Sequence, residues 1–206
     1  MAPRILRLVK FDSEMTGGSC AAGVDEVGRG PLAGPVVAAA VILLRTNGLK
    51  DLNDSKQLKA VQRESLFRKI LQNSFAAIGI CSEEEIDRIN IYQAARLAMK
   101  RALLSLSHTP DLVLIDGKAR LDWLLPQKTV IEGDSKSASI AAASVVAKVY
   151  RDAWMVHLHS LYPQYAFHKH KGYGTELHLE KIRDNGPSPV HRRSFSPFKE
   201  KIAVLV

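Results

Sequence analysis

Ala21-Ala22-Gly23-Val24-Asp25-Glu26-Val27, then Gly28-Arg29-Gly30-Pro31, then Val36-Val37-Ala38-Ala39-Ala40-Val41-Ile42-Leu43-Leu44 is the stretch that decides the fold. Two apolar, β-compatible runs flank a turn-forming segment, so the body of the chain opens with strands. Downstream, Asn53, Asp54 and Ser55 offer caps for a helix to about Leu71, with Leu58, Val61, Leu66 and Ile70 at helical spacing. A strand is expected near Phe75–Cys81. Ser82 and Glu85 then form a capping-box signature before a long helix with Ile86, Ile89, Leu97 and Leu104 on its buried side. Leu112-Val113-Leu114-Ile115 reads as a buried strand and Thr129–Ile131 as a shorter one. From Ser135 an Ala/Ser-rich helix follows, whose small residues permit close approach to a sheet. Thr175 caps a last helix that Gly186 and Pro187 close. Strands first, then helices alternating with strands, give an α/β chain with a mixed sheet.

Composition sets the outer limits. The 206 residues suffice for one domain with a core, and the first twenty read as a loosely held arm before a body over 21–206. Lys+Arg 29 against Asp+Glu 21 gives a net charge of +8, which favours polyanionic partners through counterion release. Cys20 and Cys81 form no CxxC pair and fit a reduced, cytoplasmic protein. No signal-peptide core is found near the start, and the apolar run Pro35–Leu44 is far short of the roughly 20 residues of a membrane span. No membrane partner is expected.

The chemical signal lies in acids that follow apolar runs. Asp25-Glu26 stands at the end of the first strand, Asp116 follows Leu112–Ile115, and Asp134 precedes the Ala/Ser-rich helix. Ligand sites of α/β sheets gather at strand ends and helix starts, so acids remote in sequence can meet there. Converging carboxylates repel one another, and a divalent ion such as Mg²⁺ or Mn²⁺ removes that cost while binding substrate phosphate. Each acid also has a plainer reading: Asp134 as an N-cap, Asp116-Gly117 as a turn dipeptide, Asp25-Glu26 as solvated turn residues.

Taken together, the motifs resemble those of ribonuclease HII. Gly23 to Val37 is similar to that family's opening motif. Asn53-Asp54-Ser55-Lys56, Leu114-Ile115-Asp116-Gly117, Gly133 to Ser144, Ala147-Lys148-Val149, Lys171-Gly172-Tyr173-Gly174-Thr175 and His191-Arg192-Arg193-Ser194-Phe195 follow in the family's order. The resemblance covers about Ala22 to Phe198. It implies a ribonuclease H-like mixed sheet flanked by helices, with a C-terminal helical extension from about residue 160. It implies four metal-binding, catalytic acids, falling on Asp25, Glu26, Asp116 and Asp134. It further implies that the backbone of Gly28, Arg29 and Gly30 meets the ribose 2′-hydroxyl, and that Tyr173 packs on the sugar of the adjoining deoxynucleotide. Lys56, Lys171 and Arg192 are candidates for phosphate contacts, a solvated basic face being the plainer reading of the last two.

The activity so implied is endonucleolytic: cutting the RNA strand of RNA–DNA hybrids and incising 5′ of single ribonucleotides in duplex DNA, with 5′-phosphate products. A replication clamp is admitted as a further partner, and the apolar Ile202–Val206 tail is expected to pack on the body or engage a partner. Lys118 and Lys136 add charge beside the acids without a defined role. Among rivals, a dinucleotide-binding loop fails because Gly28, Gly30 and Gly34 are spaced GxGxxxG with Pro31 inside. A non-catalytic hybrid binder would gain nothing from four acids. Zinc held by His168, His170 and the cysteines is remote. Ribonuclease HIII is the nearest enzymatic alternative, against which the Gly-Arg-Gly motif and no added N-terminal domain speak.

Overall fold

The computed structural model describes residues 4–198 apart from 54 and 119, and the backbone alone of Lys56. The 202–206 tail therefore lies outside the described residues. Strands β1 (Ala21–Val27), β2 (Val36–Leu43), β3 (Ser74–Cys81), β4 (Leu112–Asp116) and β5 (Gln127–Val130) form one sheet in the order β3-β2-β1-β4-β5. β1, β2 and β3 are antiparallel neighbours, whereas β4 runs parallel to β1, and β5 parallel to β4. The sheet is mixed, as expected.

β2 is buried on both faces, which is why its sequence is continuously apolar rather than alternating. Ala38 and Ala40 face helix α3 (Glu83–Leu104), while Ala39 and Val41 face α5 (Ala138–Leu161). Small residues bring α5 close. A Cβ placed on Gly23 would stand 2.2 Å from the Ser139 carbonyl carbon, so β1 admits only glycine there. Two short segments, α4 (Gly133–Lys136) and α6 (Phe167–His170), and the helix α7 (Glu176–Asn185) complete the body.

Three expectations are corrected. The loose arm is instead a helix, α1 (Arg4–Thr16), with Ile5 and Leu8 buried in the α5 side of the core. Its Asp12 accepts from the Ser139 amide at 2.9 Å, and Lys128 donates to the Met15 carbonyl at 2.7 Å. The helix expected from residues 53–55 begins later: a 3-10 turn at Ser55–Gln57 precedes α2 (Ala60–Gln72). Ser55 is drawn into the body, its hydroxyl 2.8 Å from that of Ser144, and the N-cap position of α2 falls on Lys59 instead. Val61 is exposed.

α3 keeps its Ser82/Glu85 capping box but breaks at Asn90, where φ is 66°. Asn90 Oδ1 accepts from the amides of Tyr92 and Gln93, restarting the helix in a new phase. The buried stripe after the break is therefore Ala94, Ala95, Ala98, Met99, Ala102 and Leu103, and Leu104 points outward. The plainer reading of Asp134, as an N-cap of the Ala/Ser-rich helix, does not hold. Asp134 lies within α4, and Ser137 accepts from the Ile140 amide to cap α5. Thr175 does cap α7, by accepting from the His178 amide.

Candidate active site

The parallel register that pairs Val24 with Ile115 sets Asp25 and Asp116 side by side, one residue further along β1 and β4. Alternation along β1 then divides its two acids between the faces of the sheet. Asp25 turns toward α5 and accepts a hydrogen bond from Ser144, whereas Glu26 turns toward α3 and the cavity beneath it. Asp116 Oδ1 accepts from the Gly133 amide at 2.7 Å, which ties the end of β4 to α4 and so to Asp134. Asp25 and Asp134 are buried, at 6% and 8% exposure.

Electrostatics records the convergence. Burial first, then the charges of Glu26, Asp116 and Asp134, push the Asp25 carboxyl well above the usual carboxylate range. Burial also raises Glu26, partly offset by Arg29, whose guanidinium lies 3.4 Å from Glu26 Oε1, while Asp116 adds to the rise. Four acids from β1, β4 and α4 thus share one locality.

Among the described residues no three His, Cys, Asp or Glu side chains already close around a single point, so the acids are neighbours rather than a finished cage. Their chemistry fits a hard divalent ion: buried, hydrogen-bonded carboxylates that disfavour their own shared charge. It does not fit zinc. Cys20 and Cys81 are free, and burial pushes the Cys81 thiol up to about 12. His170 is engaged with the Tyr165 carbonyl and the Gly172 amide.

The glycine loop after β1 is held from below by two arginines. Arg192 is fully buried and donates through Nη2 to the Gly28 carbonyl (2.6 Å), through Nη1 to the Arg29 carbonyl (3.1 Å) and through Nε to the Gly34 carbonyl (2.9 Å). Arg192 therefore cannot be the phosphate contact expected from its motif; its guanidinium shapes the loop. Arg151 was not singled out from sequence, yet it donates to the carbonyls of Pro35, Ala33 and Lys171. Nothing in the sequence marks it out, because Lys148 and Asp152 on the same helix carry charge as well. Burial lowers Arg151 to about 10 and, with repulsion from Arg151, Arg192 to about 9.

Gly28 has φ +97°, and a Cβ there would strike Arg151 Nε at 2.2 Å. Gly30 differs: its Cβ would meet only the Tyr173 ring, at 3.8 Å. Tyr173 is 42% exposed, its ring beside that open α-carbon, so the glycine loop and the tyrosine are brought together.

Lys171 stands apart. Its ammonium is spent on the His168 carbonyl, and it lines a separate hollow with Arg63, Lys148 and Asp152. Lys136 reaches the Ile131 carbonyl, whereas Lys118 lines the cavity of about 390 Å³ with Glu26, Arg29, Tyr92, Arg96 and Asp116. The Lys56 side chain lies outside the described residues.

A mixed sheet with acids at the ends of β1 and β4, and a third group at the helix that follows β5, defines a ribonuclease H-like nuclease. The family model described as Ribonuclease HII matches residues 22–198. A ribonuclease HII of Chlamydia pneumoniae is 48% identical over 206 residues, 98% of this chain and 96% of that one. The solved ribonuclease H2 of Pyrococcus horikoshii superposes with a TM-score of 0.73 at 26% identity, covering 87% of this chain and 95% of its own. The ribonuclease HII of Archaeoglobus fulgidus, solved in a complex with PCNA, gives 0.70 at 24% identity over 84% and 93%. The chain belongs to the ribonuclease HII family. It is a ribonuclease H, an endoribonuclease of RNA–DNA hybrids, rather than a non-catalytic hybrid binder.

Proposed function

We propose that the four acids form the catalytic centre and that the enzyme also incises 5′ of single ribonucleotides embedded in duplex DNA, leaving a 3′-hydroxyl and a 5′-phosphate. The observation that carries this reading is the shared electrostatic locality of Asp25, Glu26, Asp116 and Asp134. Asp25, Glu26, Asp116 and Asp134 would hold Mg²⁺ or Mn²⁺, which when bound polarises the scissile phosphate and activates the attacking water. Ser144 and the Gly133 amide orient the Asp25 and Asp116 carboxylates by hydrogen bonds. The main chain of Gly28-Arg29-Gly30 meets the ribose 2′-hydroxyl, the one group that separates RNA from DNA. The open α-carbon of Gly30 supports that approach, since nothing in the fold needs the space. Tyr173 packs on the deoxyribose beyond the junction, and Lys56 takes a phosphate.

The catalytic domain is read as residues 21–206, its C-terminal extension from about residue 160 carrying Tyr173. No helix among the described residues is long and apolar enough to cross a membrane. A cytoplasmic role in ribonucleotide excision and DNA replication is proposed with it, as is docking on a replication clamp, the class of partner in the Archaeoglobus complex. The deciding assay is incubation with a duplex carrying one ribonucleotide, with and without Mg²⁺, followed by mapping of the cut. A Mg²⁺-dependent nick on the 5′ side of the ribonucleotide is expected; no nick, or one elsewhere, overturns the reading.

A further inference from the structure

Three histidines outside the acid cluster, His170, His178 and His191, lie buried together behind the tyrosine turn. His170 stacks on His178 at 4.2 Å and 19°, and His191 lies 5.2 Å from His178. Their hydrogen bonds admit a single assignment of protons, because two backbone amides in the chain can only donate. The Ser188 amide donates to His191 Nδ1 at 2.9 Å, so neutral His191 carries its proton on Nε2. That proton faces His178 Nε2 at 3.1 Å, which must accept it. His178 then holds its own proton on Nδ1 and donates to the Tyr173 carbonyl at 2.9 Å. In parallel, the Gly172 amide donates to His170 Nδ1 at 3.2 Å, and His170 Nε2 donates to the Tyr165 carbonyl at 2.8 Å.

We infer that His178 and His191 are positioning residues: a one-way relay of neutral imidazoles from Ser188 to the Tyr173 carbonyl that fixes where the Tyr173 ring stands over Gly30. Residue 191 is followed by Arg192, whose guanidinium grips the carbonyls of Gly28, Arg29 and Gly34. Consecutive side chains therefore hold the two halves of the ribonucleotide-reading site, the tyrosine through His178 and the glycine loop directly. A third tie joins the halves, the Leu32 amide donating to the Gly172 carbonyl at 2.8 Å. The spacing between loop and ring thus rests on the His191-Arg192 dipeptide together with that tie and with Arg151, which bonds the carbonyls of both Ala33 and Lys171. A proton added to either ring would set N–H against N–H, in keeping with the lowered basicity of His178, to about 4, and His191, to about 3, both mainly by burial.

The inference rests on the reading of Tyr173 given above, and its tests separate the two. Histidine ¹⁵N spectra of the unaltered enzyme at pH 7 are expected to show His178 as the Nδ1–H tautomer and His170 and His191 as Nε2–H. His178 protonated on Nε2 overturns the relay whatever the activity. In kinetics, His178→Leu should lose about tenfold more kcat/KM on a single embedded ribonucleotide than on a continuous hybrid, and His178→Gln, which keeps a donor and an acceptor, should recover within about threefold. Equal loss on both substrates, or a glutamine variant as poor as leucine, refutes the positioning role. Tyr173→Ala run alongside settles which idea failed: if it leaves the ratio of the two substrates unchanged, the tyrosine reading is wrong; if it shifts the ratio while His178→Leu does not, only the relay is wrong. Should His178→Leu not fold, the tautomer spectrum and the glutamine variant still decide.

Discussion

Tyr173 covers Gly30 without needing it to be glycine: a methyl on that α-carbon would touch the ring's Cε1 at 3.8 Å and no other neighbour. Two residues about 140 positions apart thus form a slot whose floor is bare backbone. Gly30→Ala is expected to keep stability within about 0.5 kcal/mol while eroding the preference for ribose over deoxyribose. Thermal unfolding beside cleavage of ribose- and deoxyribose-containing duplexes checks this, and unchanged discrimination would contradict it.

Gly28→Ala should behave oppositely. Its φ of +97° costs a side chain about 1–3 kcal/mol, and the methyl would collide with Arg151. A large drop in urea midpoint is expected for Gly28→Ala and none for Gly30→Ala, so similar midpoints would undo the distinction.

Arg192 offers a sharper case. Arg192→Ala leaves three loop carbonyls, those of Gly28 and Gly34 buried, without their donor and should cost about 3 kcal/mol or more. Arg192→Lys should recover only part, because a point-like ammonium cannot fork to the carbonyls of Gly28 and Gly34 together. Chemical denaturation of the three proteins gives the ranking. A lysine variant as stable as the parent would mean that the forked hydrogen bonds of Arg192 do not hold the loop.

For the acids, Asp116→Asn or Asp134→Asn should lower turnover about 100-fold or more with the fold intact, and Mg²⁺ should raise the melting temperature of the parent but not of either variant. Near-normal turnover in either would remove it from the centre.

The pH dependence has a defined sign. Asp25 has a folded pKa raised above the 3.8 of an ordinary aspartate, so its ionisation costs the metal-free fold stability as pH rises through the folded value. In EDTA, Asp25→Asn should therefore gain on the parent at pH 8 and lose that gain as pH falls toward 4. His178 and His191 run the other way. Their folded values lie below 6.5, so the stability they contribute is complete above 6.5 and declines as pH falls toward about 4 for His178 and about 3 for His191. Urea titrations from pH 8 to 4 on the parent, Asp25→Asn and His178→Gln resolve the two effects, and parallel curves for all three would dismiss both.

Sequence alone determined much of this protein. Asp25-Glu26 after one apolar run and Asp116 after another place acids at strand ends, because a strand needs only local alternation and length to declare itself. Gly28 and Thr175 likewise announce a turn and a cap through their own backbone and side-chain chemistry. Tertiary structure alone decided the partners. An arginine reads the same whether it faces a phosphate or three carbonyls, and for Arg192 the difference is made by loop residues 158 to 164 positions away. The phase of α3 past Asn90, the docking of α1 and the proton order of the histidines are of the same kind. Each depends on which groups distant chain segments bring within 3 Å, and hydrogen bonding and burial act over that range without leaving a period in the sequence.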